Sequence, residues 1–268
     1  MTDVGEFARL SDDHLIAVLG VHLTLNDGWA AGVAPVRPEL FAPGTETIRT
    51  GMLATMVDLV AGHAPNGPTG PTVDLRVEVF SPPPASGHVH LVCHPLRVGK
   101  RLIVAETLLR SSATSEPFAR GLTTFINQPL SNIGEARPFL PMGAATFDEF
   151  IGALGRDDGT FEVASIPRIS NGLHGTVQGG AQALVAEIAA EHAVAVVSGR
   201  PEARSTATDL DIRYLGRLLV GPLLATPTLD PGPADGPRRV SVRLTDGNDD
   251  RLIGYVTLRM SAAPHRPA

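Results

Sequence analysis

The sequence repeats itself, and that narrows the possible folds more than any other feature. Placing Asp58 on Glu187 lays RTGMLATMVD (Arg49–Asp58) over QGGAQALVAE (Gln178–Glu187) without a gap, at an offset of 129 residues. Each copy has a glycine two residues after its first position and an acid nine residues after it. Upstream, NDGWAAGVAPVRPEL matches DDGTFEVASIPRIS with Gly28 on Gly159; downstream, TVDLRVEVF matches ATDLDIRYL with Asp74 on Asp209. The downstream offset is 135, so six residues are inserted after the second helix, within AVVSGRPEARS. Later still, KRLIVAETLLR and RRVSVRLTDG both alternate branched residues as strands do. Order is kept throughout, as expected of one structural unit used twice.

The repeat sets the domains: 1–126 and 146–268, joined by a Pro- and Gly-rich linker over 127–145 (NQPLSNIGEARPFLPMGAA). Each unit reads as strand, Asp-Gly turn, strand, irregular loop, helix and about three further strands, an α+β arrangement. The helices are rich in Ala and Gly, which suits a sheet wrapped closely around a thin helix. A hydrophobic share of 43% can fill two cores, and 19% charged residues is too few for a disordered polyelectrolyte. A net charge of −6 argues against a nucleic-acid partner, though a few local Arg and Lys could still hold an anionic small ligand. The single cysteine, Cys93, cannot form an intrachain disulfide and reads as an ordinary buried thiol in a reducing cytoplasm. The start of the chain, MTDVGEFARLSDDHL, has no apolar signal region. No run approaches the roughly 18 apolar residues of a membrane span. The expectation is a cytoplasmic protein without a membrane partner.

The chemistry depends on how the two helices meet. Along one helix, Gln178 and Glu187 would stand ~13 Å apart and point in opposite directions, so they cannot serve one reacting atom. Two antiparallel helices resolve this, because the start of each then lies beside the middle acid of the other. One site joins Asp58 to the turn Gln178–Gly180, and a second joins Glu187 to Arg49–Gly51. A helix start carries unpaired N–H groups and a partial positive charge. Such donors can hold an oxyanion, an effect worth roughly 3 kcal/mol per donor. A carboxylate across the gap can activate water, typically worth about 10²–10⁴-fold. Acyl transfer to water needs both.

The segment NGLHGTVQGGAQALVAE resembles the helix-entry motif of PaaI-like hotdog-fold acyl-CoA thioesterases, where a His-Gly-Gly or Gln-Gly-Gly turn precedes a catalytic acid at this spacing. The resemblance extends over both halves as a tandem, or double hotdog: two long helices, each wrapped by an antiparallel sheet, forming a pseudo-dimer. It implies hydrolysis of acyl-CoA thioesters in lipid metabolism, with coenzyme A entering only as part of the substrate and no metal or redox cofactor. It further implies Gly179 as oxyanion donor, Gln178 and Asn171 as orienting groups, and Asp58 and Glu187 as candidates for base or nucleophile. Gly180, Gly51 and Thr50 would lie against the coenzyme A thioester. The first half departs from the pattern, with Arg49-Thr50 in place of His or Gln followed by Gly, and Ala42 at the place of Asn171. The Asp58 site therefore reads as complete and the Glu187 site as degraded.

Other features carry less. Arg97, Lys100 and Arg101 in RVGKR form the best basic cluster, suited to coenzyme A phosphates or simply to a solvated turn. His88, His90 and His94 share a strand face, but the outer two lie ~20 Å apart and cannot share a metal. His174 reads as a loop histidine, and no G-x-S-x-G nucleophile elbow is present. A non-catalytic acyl-CoA binder and a hotdog hydratase or dehydratase remain as alternatives; the latter typically wants a histidine that VRPELFAPG lacks. The paired halves mimic a dimer, so a homodimer of the whole chain is allowed but not required.

Overall fold

The computed structural model describes residues 14–64, 70–114, 116–128, 146–164, 166–170, 177–199, 205–232 and 236–262. The first half opens with a five-residue helix, α1 (Leu15–Leu19), closed by Gly20. The hairpin β1 (His22–Asn26) and β2 (Trp29–Pro35) follows, then α2 (Thr50–Ala61) and four strands. These are β3 (Thr72–Val79), β4 (His88–Val98), β5 (Leu102–Ser111) and β6 (Pro117–Ile126). The second half repeats the order with α3 (Phe147–Ile151), β7 (Ala153–Gly155), β8 (Phe161–Val163) and α4 (Gly179–Ser198). It ends with β9 (Ser205–Tyr214), β10 (Leu223–Leu229), β11 (Arg238–Asp246) and β12 (Arg251–Ala262). Both Asp-Gly pairs turn the first hairpin of their half, with Gly28 at φ 78° and Gly159 at φ 82°, a backbone region that L side chains resist.

All twelve strands form one antiparallel sheet in the order β1-β2-β4-β5-β6-β3-β9-β12-β11-β10-β8-β7. Reading from either end gives the same succession of equivalent strands, so the molecule has an internal pseudo-twofold axis. The axis passes through the β3–β9 seam, registered from Asp74↔Arg213 to Glu78↔Asp209. Each half-sheet encloses its own helix. Close wrapping has a direct signature: a Cβ on Gly32 would come within 2.6 Å of Val60, and one on Gly121 within 2.5 Å of Val57. Ten of the twelve residues of α2 are buried, as is the run Gly180–Ala190 of α4, and together they form the core with the inward faces of the strands.

The α+β expectation of two sheet-wrapped helices holds, with differences. Four strands follow each helix where about three were expected, and a short helix precedes each hairpin. The helices are unequal, 12 against 20 residues, because Gly62 ends α2 where its counterpart Glu191 lets α4 run on. The six inserted residues therefore appear largely as extra helix. At 20 residues with a mean hydropathy of 1.3, α4 is long and apolar enough to cross a membrane, contrary to the sequence expectation. Here its apolarity is used against the sheet and α2. Most of the expected linker, 129–145, lies outside the described residues.

Candidate active site

The two helices run antiparallel and touch through backbone. A Cβ on Gly51 would stand 2.6 Å from the Leu184 Cα, and one on Gly180 would stand 2.5 Å from the Thr55 Cα. These two glycines, expected beside a ligand, are consumed by the helix crossing. That crossing carries each middle acid to the start of the opposite helix.

Asp58 is held at both oxygens. The Thr72 hydroxyl, at the head of β3, donates to Oδ1 at 2.7 Å. Gln178, the N-cap of α4, accepts the Ala181 N–H on its Oε1 at 2.9 Å, which turns its Nε2 toward Asp58 Oδ2 at 3.3 Å. Burial raises the Asp58 carboxyl to about 6, opposed by the Thr72 hydrogen bond. The space beside Gly179 is shared: a Cβ there would lie 3.1 Å from the Tyr214 hydroxyl and 3.3 Å from Asp58 Oδ2. The Gly179 and Gly180 amides lie in the first helical turn and find no acceptor among the described residues. The Tyr214 hydroxyl oxygen is buried and likewise without a hydrogen-bond partner among them.

The pseudo-symmetric position is closed. Glu187, one methylene longer than Asp58, reaches into the α2 start and accepts from the amides of Thr50 (3.1 Å), Gly51 (2.5 Å) and, across on β9, Ala207 (3.1 Å). The Thr50 and Gly51 donors, expected to face a ligand, are therefore occupied by the protein itself. Burial pushes the Glu187 carboxyl up to about 7, with the Glu191 charge adding to the shift and the Gly51 amide, Arg49 and the Ala207 amide opposing it. Arg49 sits at the place of Gln178, is 1% exposed, and pairs with Glu191 at 2.9 Å and with Asp148. A cavity of about 270 Å³ beside this triad is lined by Arg49, Asp148 and Glu191, which are already paired with one another, and by apolar groups that include Phe161 and Ile188.

The sites differ at matched positions of the repeat. Thr72, Gln178, Gly179 and Tyr214 around Asp58 correspond to Ala207, Arg49, Thr50 and Val79 around Glu187. Sequence reasoning missed Thr72 and Tyr214, which stand where one half is polar and the other apolar. Comparing the halves for their differences would have found both.

The remaining candidates are dispersed. Arg97, Lys100 and Arg101 are exposed on the β4–β5 hairpin. Register places this hairpin at the Thr72 end of the sheet, since Leu102 pairs with Ile126 and Phe125 with Thr72. Its β5 arm is two strands from Thr72, or ~10 Å, and its β4 arm, which carries Arg97, is three strands away, or ~14 Å. Asn171 and His174 lie outside the described residues. Cys93 is fully buried, and burial pushes its thiol up to about 11. On β4 the His88 and His90 rings are 6.4 Å apart, while His94 stacks on Trp29 at 5.6 Å.

No protein-family model and no curated protein matches the sequence. Solved structures do match, over nearly the whole chain. The tesB protein of Mycobacterium avium subsp. paratuberculosis superposes with a TM-score of 0.62 at 16% identity, covering 93% of this chain and 98% of that one. A hot dog fold protein of unknown function from Alicyclobacillus acidocaldarius gives 0.62 at 13% identity, covering 95% and 99%. The 12:0-ACP thioesterase of Umbellularia californica gives 0.59 at 13% identity, covering 89% and 99%. With the mirrored order of the sheet, these likenesses establish that the chain is a double hotdog, two such units closed into one pseudo-dimer.

Proposed function

We propose that the protein hydrolyses acyl thioesters, with acyl-CoA as the substrate class, at the site around Asp58. The observation that supports this most is the pairing of a carboxylate raised to about 6 with helix-start amides at Gly179 and Gly180 that find no acceptor among the described residues. The likeness in fold to a tesB protein and an acyl-ACP thioesterase agrees with it, as does the resemblance of the Gln-Gly-Gly turn to the PaaI-like family.

In this reading the thioester carbonyl oxygen lies at the α4 start, where the amides gather the negative charge that develops during attack. Water adds to the carbonyl carbon as Asp58 takes its proton. The intermediate collapses by breaking the C–S bond, the thiolate recovers a proton, and a carboxylic acid and free thiol leave. Thr72 and Gln178 keep the Asp58 carboxylate facing the substrate. Direct attack by Asp58, through a mixed anhydride, uses the same geometry. The exposed Arg97, Lys100 and Arg101 stand at the right end of the sheet to meet the phosphates of coenzyme A.

Free-thiol release from short, long and aryl acyl-CoAs tests the reading. Asp58→Asn should lose at least about 10²-fold in kcat, and Glu187→Gln should stay within a few-fold of wild type. Equal loss in both variants would count against a single working site. Absence of hydrolysis with any thioester would reject the activity.

A further inference from the structure

Among the described residues the Tyr214 hydroxyl finds no hydrogen-bond partner. Its oxygen is shut off from solvent; several other buried side-chain atoms share that lack, but this one lies against Gly179 beside Asp58. Leaving a buried hydroxyl unpaired costs on the order of 1–3 kcal/mol. The fold does not require that penalty, because the matched residue of the other half is Val79, which packs at the other end of the seam. The tyrosine is also placed with care. It ends β9, one residue beyond the Asp74↔Arg213 pair, so the seam sets it beside the Thr72 end of β3. Its hydroxyl lies against Gly179, on the side that Asp58 also approaches. The position matched to Gly179 is Thr50, so the fold accepts a side chain there. In the half with the tyrosine a Cβ would be met tightly, at 3.1–3.3 Å.

We propose that Tyr214 is a further catalytic residue, whose hydroxyl donates a hydrogen bond to the thioester carbonyl oxygen and completes, with the Gly179 amide, the oxyanion hole. This rests on the thioesterase reading and adds to it a side-chain donor from β9. Burial and the neighbouring Asp58 charge hold the phenol well above its ordinary value, so it remains a neutral donor throughout the working pH range. Glycine at 179 then has a positive reason: a side chain there would stand between donor, base and substrate.

Tyr214→Phe is the direct test, since it removes one oxygen and leaves the ring. In free-thiol assays kcat should fall by about 10²-fold while KM stays within about twofold, the split expected of a donor used in the transition state. The melting temperature should hold or rise, because an unpaired hydroxyl has been deleted. A fall of several degrees would reveal a structural partner and overturn the assignment. Unchanged turnover, with Asp58→Asn inactive, would overturn it too while leaving the thioesterase reading intact.

A binding measurement decides the tyrosine independently of turnover. Two acyl-CoA analogues serve: one with methylene in place of sulfur, so that a ketone stands for the thioester carbonyl, and a thioether with no carbonyl. Tyr214→Phe should bind the ketone about tenfold more weakly than wild type and the thioether equally well. Equal affinities of both proteins for both analogues would overturn the proposal. Wild-type protein that hydrolyses no thioester and binds neither analogue would overturn this and the underlying reading together.

Discussion

At the scale of single residues, the same burial that raises the Asp58 carboxyl toward neutrality also makes it expensive. With its carboxyl raised to about 6, kcat/KM should fall tenfold per pH unit below that value and level off above it. A pH–rate profile with its acid limb near 4 would contradict the assignment. The linked stability effect has a definite sign. The folded-state value lies above the unfolded one of 3.8, so Asp58 favours folding fully only below about 4, and the benefit is lost as pH rises through 6. Asp58→Asn should therefore stabilise the protein at pH 8 by about 2 kcal/mol, allowing for partial exposure. The gain should shrink toward zero between pH 6 and 4, as thermal melts of both proteins would show. Asp58, Glu187 and Gln178 were legible in the sequence because the repeat preserves their spacing. Thr72 and Tyr214 were not, because they are the places where the repeat breaks, and a search for agreement passes over them.

At the scale of elements, two neighbouring glycines have separate tasks that substitution should divide. A Cβ on Gly180 meets the α2 backbone at 2.5 Å, which no rotamer can relieve. Gly180→Ala should cost about 3 kcal/mol of stability by forcing the helices apart. A Cβ on Gly179 meets only side-chain groups, at 3.1–3.3 Å, which can yield by a few tenths of an ångström. Gly179→Ala should fold with a near-normal melting temperature yet lose at least about tenfold in kcat. Matching denaturation midpoints for the two variants would refute the division. The antiparallel meeting of helices followed from the offset of acid and turn, but the insertion expected after the second helix is largely part of it, because α2 ends at Gly62 and α4 runs on. The five-residue helices α1 and α3 escaped notice because one turn is too short for a periodic pattern. Their shared signal, an apolar pair closed by Gly20 or Gly152, resides in the cap.

Over the whole molecule, neither half owns a complete site. Asp58 and Thr72 come from the first half; Gln178, Gly179 and Tyr214 come from the second. Titration with the ketone analogue should saturate at one ligand per chain, and two would refute the closure of the Glu187 position. The continuous β3–β9 seam explains why the pair cannot drift apart, and the repeat alone could not reveal that twelve strands would join in one sheet. The covalent union has a historical consequence. In a homodimer every mutation strikes both catalytic centres at once, so neither can be given up. A fused pair escapes that rule, because a substitution in one half leaves its counterpart in the other untouched. The Glu187 carboxylate, set among three backbone amides, shows the use such freedom allows: an acid built into the wall.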